Sequence, residues 1–500
     1  MTLCEKLTDK YIWLILAVYP LFLGFRGYAR LTDSKFFFFT VATLLWLVAL
    51  IALCLLRGER PKARLKAVHW AVLAFLAVCL LSTLCSPHRV EALLGAGRHS
   101  GLLTLGMYCG IFFGVSLFAR PRREYAFAIG LSSAVCCAVA VLQLCGSGVF
   151  YPNDYTFFDG NIRYGGIFLG TIGNAGPLNA FLCLAVPVCA GAYITGGERR
   201  DALLLLPAAM GVFVMKCSGV AAGAVALAAA ALLLPPLLVN DMPRLFRLCR
   251  CACALCTALG LSMWLSFAPD SVSLSWNAAS LALFLAAAAL LAAPAVLRRY
   301  DFSEKRLLRF FLCLDAILIL AALLMLWFYP FASGTLHELS EALHGRLSDE
   351  FGSSRIRIWR ETLLLFSERP LFGGGPDTLS LRLDLHFSRL VPETGETFST
   401  FIDNAHNAYL GYLINTGLLG LLSYLAMICL TAVELLKKKF RGFRAVVFIA
   451  LAAAWTEAFF GLDLFITTPM LFIFWGLFFG KEKACPCIDG QADALMHTVL

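Results

Sequence analysis

The sequence predicts an all-α, polytopic membrane protein with about 12–14 transmembrane helices. The chain is 60% hydrophobic and only 15% charged, with a mean hydropathy of +0.79, whereas a soluble domain with a polar surface is far more charged. Apolar runs of about 20 residues, the length a helix needs to cross a hydrocarbon core about 30 Å thick, recur from end to end. The runs at 36–56 and 310–329 are the clearest.

Taken in chain order, the apolar runs predict fourteen spans, at residues 11–26, 35–56, 67–84, 101–119, 125–145, 176–195, 203–215, 218–239, 251–268, 277–297, 310–329, 408–433, 445–461 and 464–480. The first run lacks a small-residue cleavage site, so we expect it to remain in the mature protein. The run at 203–215 gives only about 20 Å of helix, too short to cross. We therefore expect a broken or recessed hairpin over 203–239, with its tip in a cavity rather than in lipid.

Basic residues concentrate in alternate connecting segments. With the N-terminus inside, the cytoplasmic segments hold 27 of the 41 Lys and Arg residues. The positive-inside rule then predicts that both termini are cytoplasmic. The net charge of +9, which in a soluble protein would suggest a nucleic-acid partner, is explained by this orientation, so no nucleic-acid partner is expected.

This orientation divides the chain into an N-terminal transmembrane bundle (1–329), one long extracytoplasmic helical segment (330–407), C-terminal transmembrane helices (408–483) and a cytoplasmic tail (484–500). In the outer segment, leucines at helical spacing over 336–347 predict an amphipathic helix. A second helix is predicted over 354–368, ending before a proline and a glycine-rich turn. Its expected buried face consists of Ile356, Trp359, Leu363 and Phe366.

The point where this segment re-enters the membrane holds the most suggestive polar residues. We expect Asp403 to cap the helix that follows and His406 to lie in its first turn. The helix dipole would disfavour imidazolium there, leaving a neutral imidazole able to act as a general base. An isolated histidine at a helix start more often makes only a structural hydrogen bond, and this alternative stays open.

Arginines are the second candidate set. A guanidinium is a permanently charged planar fork suited to a diphosphate. Pairing with nearby carboxylates at the surface is the open alternative. Five arginines reach the predicted outer face: Arg98, Arg163, Arg355, Arg357 and Arg360. The nineteen cysteines fall mostly inside apolar runs and indicate packing rather than a disulfide or metal framework.

Residues 403–424 resemble the signature of the O-antigen ligase and O-antigen polymerase (Wzy-like) family, whose pattern is met by His406, Asn407, Leu410, Gly417 and Gly420. A second stretch is similar to the family in having Arg355 four residues before Trp359, then Pro370 and the glycines 373–375. The likeness is most specific over 330–480, with weaker echoes around Arg98 and Asn174. Where many relatives carry Ser-Arg, this chain reads Ser218-Gly219, with Lys216 two residues earlier.

The resemblance implies a fold like that of the multi-span, lipid-dependent (GT-C-like) glycosyltransferases in a bacterial cytoplasmic membrane. It implies an enzyme that passes a polyprenyl-diphosphate-linked glycan to a hydroxyl of a glycan, lipid-glycan or protein acceptor on the outer face, in cell-surface polysaccharide biosynthesis. It also implies that no metal or cofactor is needed. The implied site comprises His406 as catalytic base, a donor diphosphate set of Arg355, Arg163, Arg98 and Lys216, and supporting residues Asp403, Asn407 and Trp359.

Composition and span count alone fit a transporter or lipid-linked glycan flippase equally well. A transporter is expected to carry ionisable residues at mid-membrane depth and related halves. Asp315 and Glu457 are the candidate deep charges; each is isolated in the sequence, and the two halves show no repeat. A non-catalytic assembly partner is the third interpretation.

Overall fold

The computed structural model describes residues 2–24, 27–59, 65–145, 169–268, 271–349, 351–390, 397–437 and 442–481. The described residues are overwhelmingly helical, which confirms the all-α, polytopic prediction. Nine of the described helices are long and apolar enough to cross a membrane, and two shorter apolar helices accompany them.

The helices are α1 (Leu3–Trp13), α2 (Leu31–Arg57), α3 (Ala67–Cys85), α4 (Arg89–Leu94), α5 (Leu102–Phe118), α6 (Glu124–Leu144), α7 (Ala175–Thr195), α8 (Leu205–Cys217), α9 (Ala221–Leu238), α10 (Met242–Trp264), α11 (Ala278–Leu297), α12 (Glu304–Phe328), α13 (Gly334–Leu343), α14 (Phe351–Leu364), α15 (Ala408–Lys437), α16 (Phe443–Ala458) and α17 (Thr468–Phe479). A π-helical turn spans Leu14–Val18, and 3₁₀ turns span Tyr19–Leu21, Gly27–Arg30, Arg199–Leu204, Leu365–Glu368 and Leu379–Leu381. Two antiparallel hairpins pair β1 (Leu265–Ala268) with β2 (Ser271–Leu274) and β3 (His386–Leu390) with β4 (Thr397–Phe401).

Each of the fourteen predicted spans contains helical structure. The first span, predicted at 11–26, fits poorly: α1 begins at Leu3, the helical turns that follow it end at Leu21, and residues 22–24 are not helical. Among the long helices the largest shifts are at the starts: α10 begins at Met242 and α12 at Glu304, several residues before the predicted 251 and 310. Both helices begin with turns that contain basic residues, and a prediction from hydropathy leaves such turns outside the span. A helix continues through such a turn because its charged side chains reach the interface while its backbone stays hydrogen-bonded.

The interior of the bundle is built on α5, α7, α16 and α17, which pack against one another and bury nearly all of their side chains. Trp475 and Tyr424 are fully buried there. In contrast, α11 and α12 lie at the periphery and expose most of their apolar side chains. Apolar surface of this extent is what lipid contact requires.

The short helix α8 turns into α9 at residues 218–220, as the sequence predicts for a recessed hairpin. Lys216 and Gly219 at its tip line an apolar cavity of about 660 Å³. The walls of this cavity come from α7, α8, α9 and α10, and α13 contributes Leu336 and Leu339. The predicted cavity at the tip is therefore present.

The outer segment forms the two predicted helices, α13 and α14, and also the β3–β4 hairpin, which the sequence analysis did not predict. The predicted buried face of α14 is wrong at one end. Ile358 and Thr362 are buried, whereas Leu363 is 48% exposed. The helix turns the side bearing Arg355 and Trp359 inward because these residues face the re-entry turn, and it leaves Leu363 outside.

α15 is broken at Gly417, whose φ is +72°. The segment 370–375 fills the break with backbone hydrogen bonds: Leu418 N–H donates to Pro370 O (2.8 Å), and Gly374 N–H donates to Ile414 O (3.1 Å). The glycine-rich turn is therefore a docking element for α15 rather than a free linker.

Candidate functional site

The turn 403–407 precedes α15 and carries the central candidate residue. Asn407 caps the helix, because its Oδ1 accepts a hydrogen bond from Leu410 N–H at 3.0 Å. The predictions that Asp403 is the cap and that His406 lies in the first helical turn are therefore wrong. Asn407 is the better cap since it directly precedes the first helical residue, Ala408.

Asp403 instead pairs with Arg98. The Arg98 Nε and Nη2 atoms donate to the two carboxylate oxygens of Asp403 at 2.7 and 3.0 Å. Asp377 holds the Arg98 loop from the other side, accepting hydrogen bonds at its Oδ2 from the backbone N–H groups of Arg98 and Ser100. These contacts tie the turn to a loop some three hundred residues earlier in the chain.

His406 has a left-handed backbone, with a φ of +47°, which is uncommon for a residue other than glycine. Its N–H donates to Asn404 Oδ1 at 2.9 Å, and this Asx turn stabilises the conformation. Neither imidazole nitrogen has a hydrogen-bond partner within the described ranges. Both nitrogens are therefore available to a substrate.

Burial, followed by the positive charges of Arg355 and Arg98, lowers the pKa of His406 to about 4, and Asp403 opposes this shift. The imidazole is therefore neutral at physiological pH, as the sequence predicts. The cause differs from the predicted helix dipole: desolvation and neighbouring guanidinium groups disfavour the charged form.

α14 brings Arg355 to the same turn. Trp359, one helical turn further along, donates from its indole Nε1 to Ala405 O at 3.0 Å, and its ring meets Phe459 edge-on at 5.6 Å. Arg355 donates from Nη1 to Gly352 O at 2.9 Å, while its Nε is buried without a hydrogen-bond partner. An unpaired buried donor on a guanidinium favours an anionic ligand.

Glu457, buried at the C-terminal end of α16, is a member of this site that the sequence analysis missed. Burial lowers the pKa of Arg355, and the negative charge of Glu457 opposes that shift. Glu457 is isolated in the sequence, but the fold brings it within electrostatic reach of Arg355. Nothing in the local sequence indicates this, because the two residues are a hundred positions apart.

Asp463 is the second residue that the sequence analysis missed. It lies in the connection between α16 and α17, and its Oδ2 accepts a hydrogen bond from Tyr412 O–H at 2.7 Å. Burial raises the pKa of Asp463 to about 6, and the Tyr412 hydrogen bond partly offsets this. An acidic residue between two apolar runs was the available signal.

The other predicted site residues are placed apart from this cluster or are not described. Lys216 is exposed at the edge of the apolar cavity and forms no ion pair with a described residue. Arg360 is paired with Asp349 at 2.7 Å, and the Arg357 guanidinium lies over the Phe387 ring. Arg163 lies outside the described residues.

The elements around His406 also connect the turn to the apolar cavity. α13, which lines that cavity, contacts α14, and α14 contacts α15. Arg355 therefore lies on a helix that contacts both α13, which lines the apolar cavity, and α15, which follows the turn that carries His406. A cation, a neutral imidazole and an apolar cavity are thus carried on elements that contact one another.

Comparison with known proteins gives one family match. Residues 272–425, about a third of the chain, match the family model described as O-antigen ligase. The matched region contains Arg355, Trp359, Asp403 and His406. The chain has no match among the curated proteins. The match confirms the resemblance to the O-antigen ligase (Wzy-like) family seen in the two late sequence motifs, and it supports a place for this protein in cell-surface polysaccharide biosynthesis.

Proposed function

We propose that this protein is a glycosyltransferase that moves a glycan from a polyprenyl diphosphate to an acceptor hydroxyl on the outer face of the cytoplasmic membrane. The acceptor oxygen attacks the anomeric carbon of the donor sugar, and the bond from that carbon to the phosphate oxygen breaks. The polyprenyl diphosphate leaves with the bonding electrons. His406 takes the proton of the acceptor hydroxyl, and Arg355 binds the diphosphate and stabilises its growing charge.

The neutral His406 imidazole beside the partly unpaired Arg355 guanidinium is the observation that carries this proposal. A general base must be unprotonated to accept a proton, and burial keeps His406 in that form. A guanidinium keeps its charge in the same environment and holds a buried donor without a partner. One residue therefore suits the acceptor proton and the other the donor phosphates.

The apolar cavity supports a lipid-linked donor. Its lining is almost entirely apolar, and Lys216 lies at one edge, where a cation would meet the head group. A polyprenyl chain gains free energy from such burial at about 25 cal/mol for each Å² of apolar surface. The asymmetric distribution of basic residues, with both termini cytoplasmic, supports an outer location for the site.

Replacement of the two central residues tests the proposal in cells. His406→Ala is expected to lower glycan transfer by about 10²- to 10⁴-fold because the base is lost. Arg355→Ala is expected to lower it by about 10²- to 10³-fold, and Arg355→Lys should restore only part of the activity because a lysine lacks the planar fork. Gel analysis of the surface polysaccharide measures the product.

Arg360→Ala is the matched control, since Arg360 lies on the same helix but is paired with Asp349 at the surface. It should leave the product unchanged. Normal product from both His406→Ala and Arg355→Ala, at wild-type protein levels, would contradict the proposal. If the protein were a transporter, these variants would instead lose movement of the lipid-linked glycan across the vesicle membrane. Transfer of glycan that is already on the outer face would then persist.

A further inference from the structure

A second cavity, of about 90 Å³, lies beside the turn that carries His406. Its wall combines residues from the Arg98 loop, the segment 376–379, the turn 403–408, the first turns of α15 and the connection 462–464. A single water requires a cavity of about 10–15 Å³, so this cavity has room for several waters. That space suits one sugar ring.

Three polar atoms in this wall lack a hydrogen-bond partner among the residues that the structure describes: Asp463 Oδ1, Asn407 Nδ2 and Asn415 Nδ2. The other polar atom of each side chain is engaged, which fixes its orientation. Asp463 Oδ2 accepts from Tyr412, Asn407 Oδ1 from Leu410 N–H, and Asn415 Oδ1 from Arg382. The wall thus offers one acceptor and two donors, a combination that matches hydroxyl groups, which both donate and accept.

The glycine at position 411 is an independent observation that favours a ligand in this cavity. It lies in the first turns of α15 and lines the cavity. A Cβ atom at this position would meet no other atom within 4 Å, so packing does not require a glycine. A helical glycine is less favourable than alanine by about 1 kcal/mol. The glycine leaves the cavity wider at a cost in helix stability.

The charges of the wall disfavour a diphosphate. Arg98 is neutralised by its bidentate pair with Asp403, which leaves the carboxylates of Asp377 and Asp463. α14, which carries Arg355, contributes no residue to this wall. A metal ion is also a poor fit, because within the described ranges no three His, Cys, Asp or Glu side chains converge as a metal site.

We propose that this cavity binds a sugar ring of the acceptor through its hydroxyl groups, with Asp463, Asn407 and Asn415 as recognition residues. Ala405 and Asn407, the neighbours of His406 on both sides, line the cavity. A bound ring therefore lies against the turn that carries the base. The donor diphosphate occupies the Arg355 side of the turn. This assignment rests on the proposed function.

Saturation-transfer NMR on the purified full-length protein tests the assignment with a panel of glucose, galactose, rhamnose and N-acetylglucosamine. Ring-proton signals from at least one sugar are expected with the wild-type protein, and the smaller change Gly411→Ala, which narrows the cavity by one methyl group, should weaken them. They should be lost with Gly411→Leu, which fills the cavity, and weakened with Asp463→Asn. Pyrophosphate binding, followed by ³¹P line broadening, should survive Gly411→Leu and disappear in Arg355→Ala.

Survival of pyrophosphate binding in Gly411→Leu shows that this variant is folded. The acceptor assignment is overturned if no sugar in the panel gives a signal, if the signal persists in Gly411→Leu, or if pyrophosphate displaces the sugar. Failure of the proposed function has a different signature, since pyrophosphate binding would then be absent or independent of Arg355.

Discussion

At His406, two positive charges and one negative charge act on a single half-buried imidazole. Desolvation is the largest single influence and disfavours protonation, as do Arg355 and Arg98, whereas Asp403 favours it. Because Asp403 is itself paired with Arg98, its opposing influence is weakened. The resulting neutral histidine needs no bound partner to keep it unprotonated, which suits a base that must wait for its acceptor.

The pH dependence of transfer follows from this balance. A base works only when unprotonated, and the pKa of His406 is about 4, so the rate should fall as the pH drops below about 5. Arg355→Gln removes a positive charge, which raises the pKa of His406 and moves the acid limb of the profile to higher pH. Transfer rates of both proteins between pH 4 and 8 measure this shift. Coincident acid limbs would contradict the electrostatic account.

Replacing Arg98 and Asp403 singly and together distinguishes two roles for Arg98. If Arg98 positions the turn through Asp403, then Arg98→Ala and Asp403→Ala should each lower transfer about tenfold, and the double variant should be no worse than either. If Arg98 binds the donor diphosphate directly, its replacement should be the more damaging and the two effects should multiply. We expect the first pattern, because both carboxylate oxygens are engaged by Arg98. Transfer rates of the three variants measure it.

At the scale of elements, the break in α15 explains why a glycine-rich turn accompanies the re-entry motif. A Cβ atom on Gly417 would lie 2.2 Å from Leu371 O, and one on Gly373 would lie 2.5 Å from the Asn415 carbonyl carbon. The two backbones touch, so neither position accommodates a side chain. Arg382 completes the junction by donating to Ile414 O. The break orients the first half of α15, and with it the turn that carries His406.

Replacing either glycine should therefore disrupt the junction. Gly417→Ala forces a left-handed backbone on alanine, at about 1–2 kcal/mol, in addition to the backbone clash. We expect reduced yield and a lower melting temperature in detergent, with Gly373→Ala behaving alike. Gly411→Ala, on the same helix, is the control and should melt at or above the wild-type temperature. Equal melting of all three variants would show that the contact is unimportant.

These elements also show how far sequence carries prediction. Hydropathy identifies the membrane helices because a helix that crosses the hydrocarbon core requires a continuous apolar run of about 20 residues. It misses the break at Gly417, since one glycine in an apolar run does not specify a turn. The motif containing His406 points to the proposed base, whereas the Arg98–Asp403 pair joins residues 305 positions apart and leaves no local signal. Asp463 and Glu457 join the site only through the packing of α16, so no local pattern reveals them.

At the scale of the whole molecule, the helices divide into a packed interior and a peripheral part that encloses apolar space. α7 borders both, and α8, α9 and α10 surround the apolar cavity beside it. α13 lies across this cavity, anchored where Ser340 Oγ donates to Leu326 O at 2.7 Å and His344 stacks on Trp327. The cavity, Arg355 and His406 are thus linked through α13, α14 and α15.

The apolar cavity is expected to select donors by their lipid chain. Ala228→Trp introduces a large side chain into the cavity wall and should raise the KM for a long-chain polyprenyl donor by about tenfold, through lost apolar burial. A donor with a short prenyl chain should be affected much less. Ala286→Trp, on the lipid-facing side of α11, is the control and should behave like the wild type. If Ala228→Trp changed the KM equally for both donors, the prenyl chain of the donor would not bind in this cavity.

Single-turnover transfer by the reconstituted protein tests the central claim most directly, because it separates donor binding from chemistry. With a polyprenyl-diphosphate-linked glycan, His406→Ala should bind the donor as the wild type does yet transfer it at least about a hundredfold more slowly. Arg355→Ala should lose donor binding as well. Wild-type single-turnover rates in both variants would contradict the assignment of base and diphosphate ligand to these two residues.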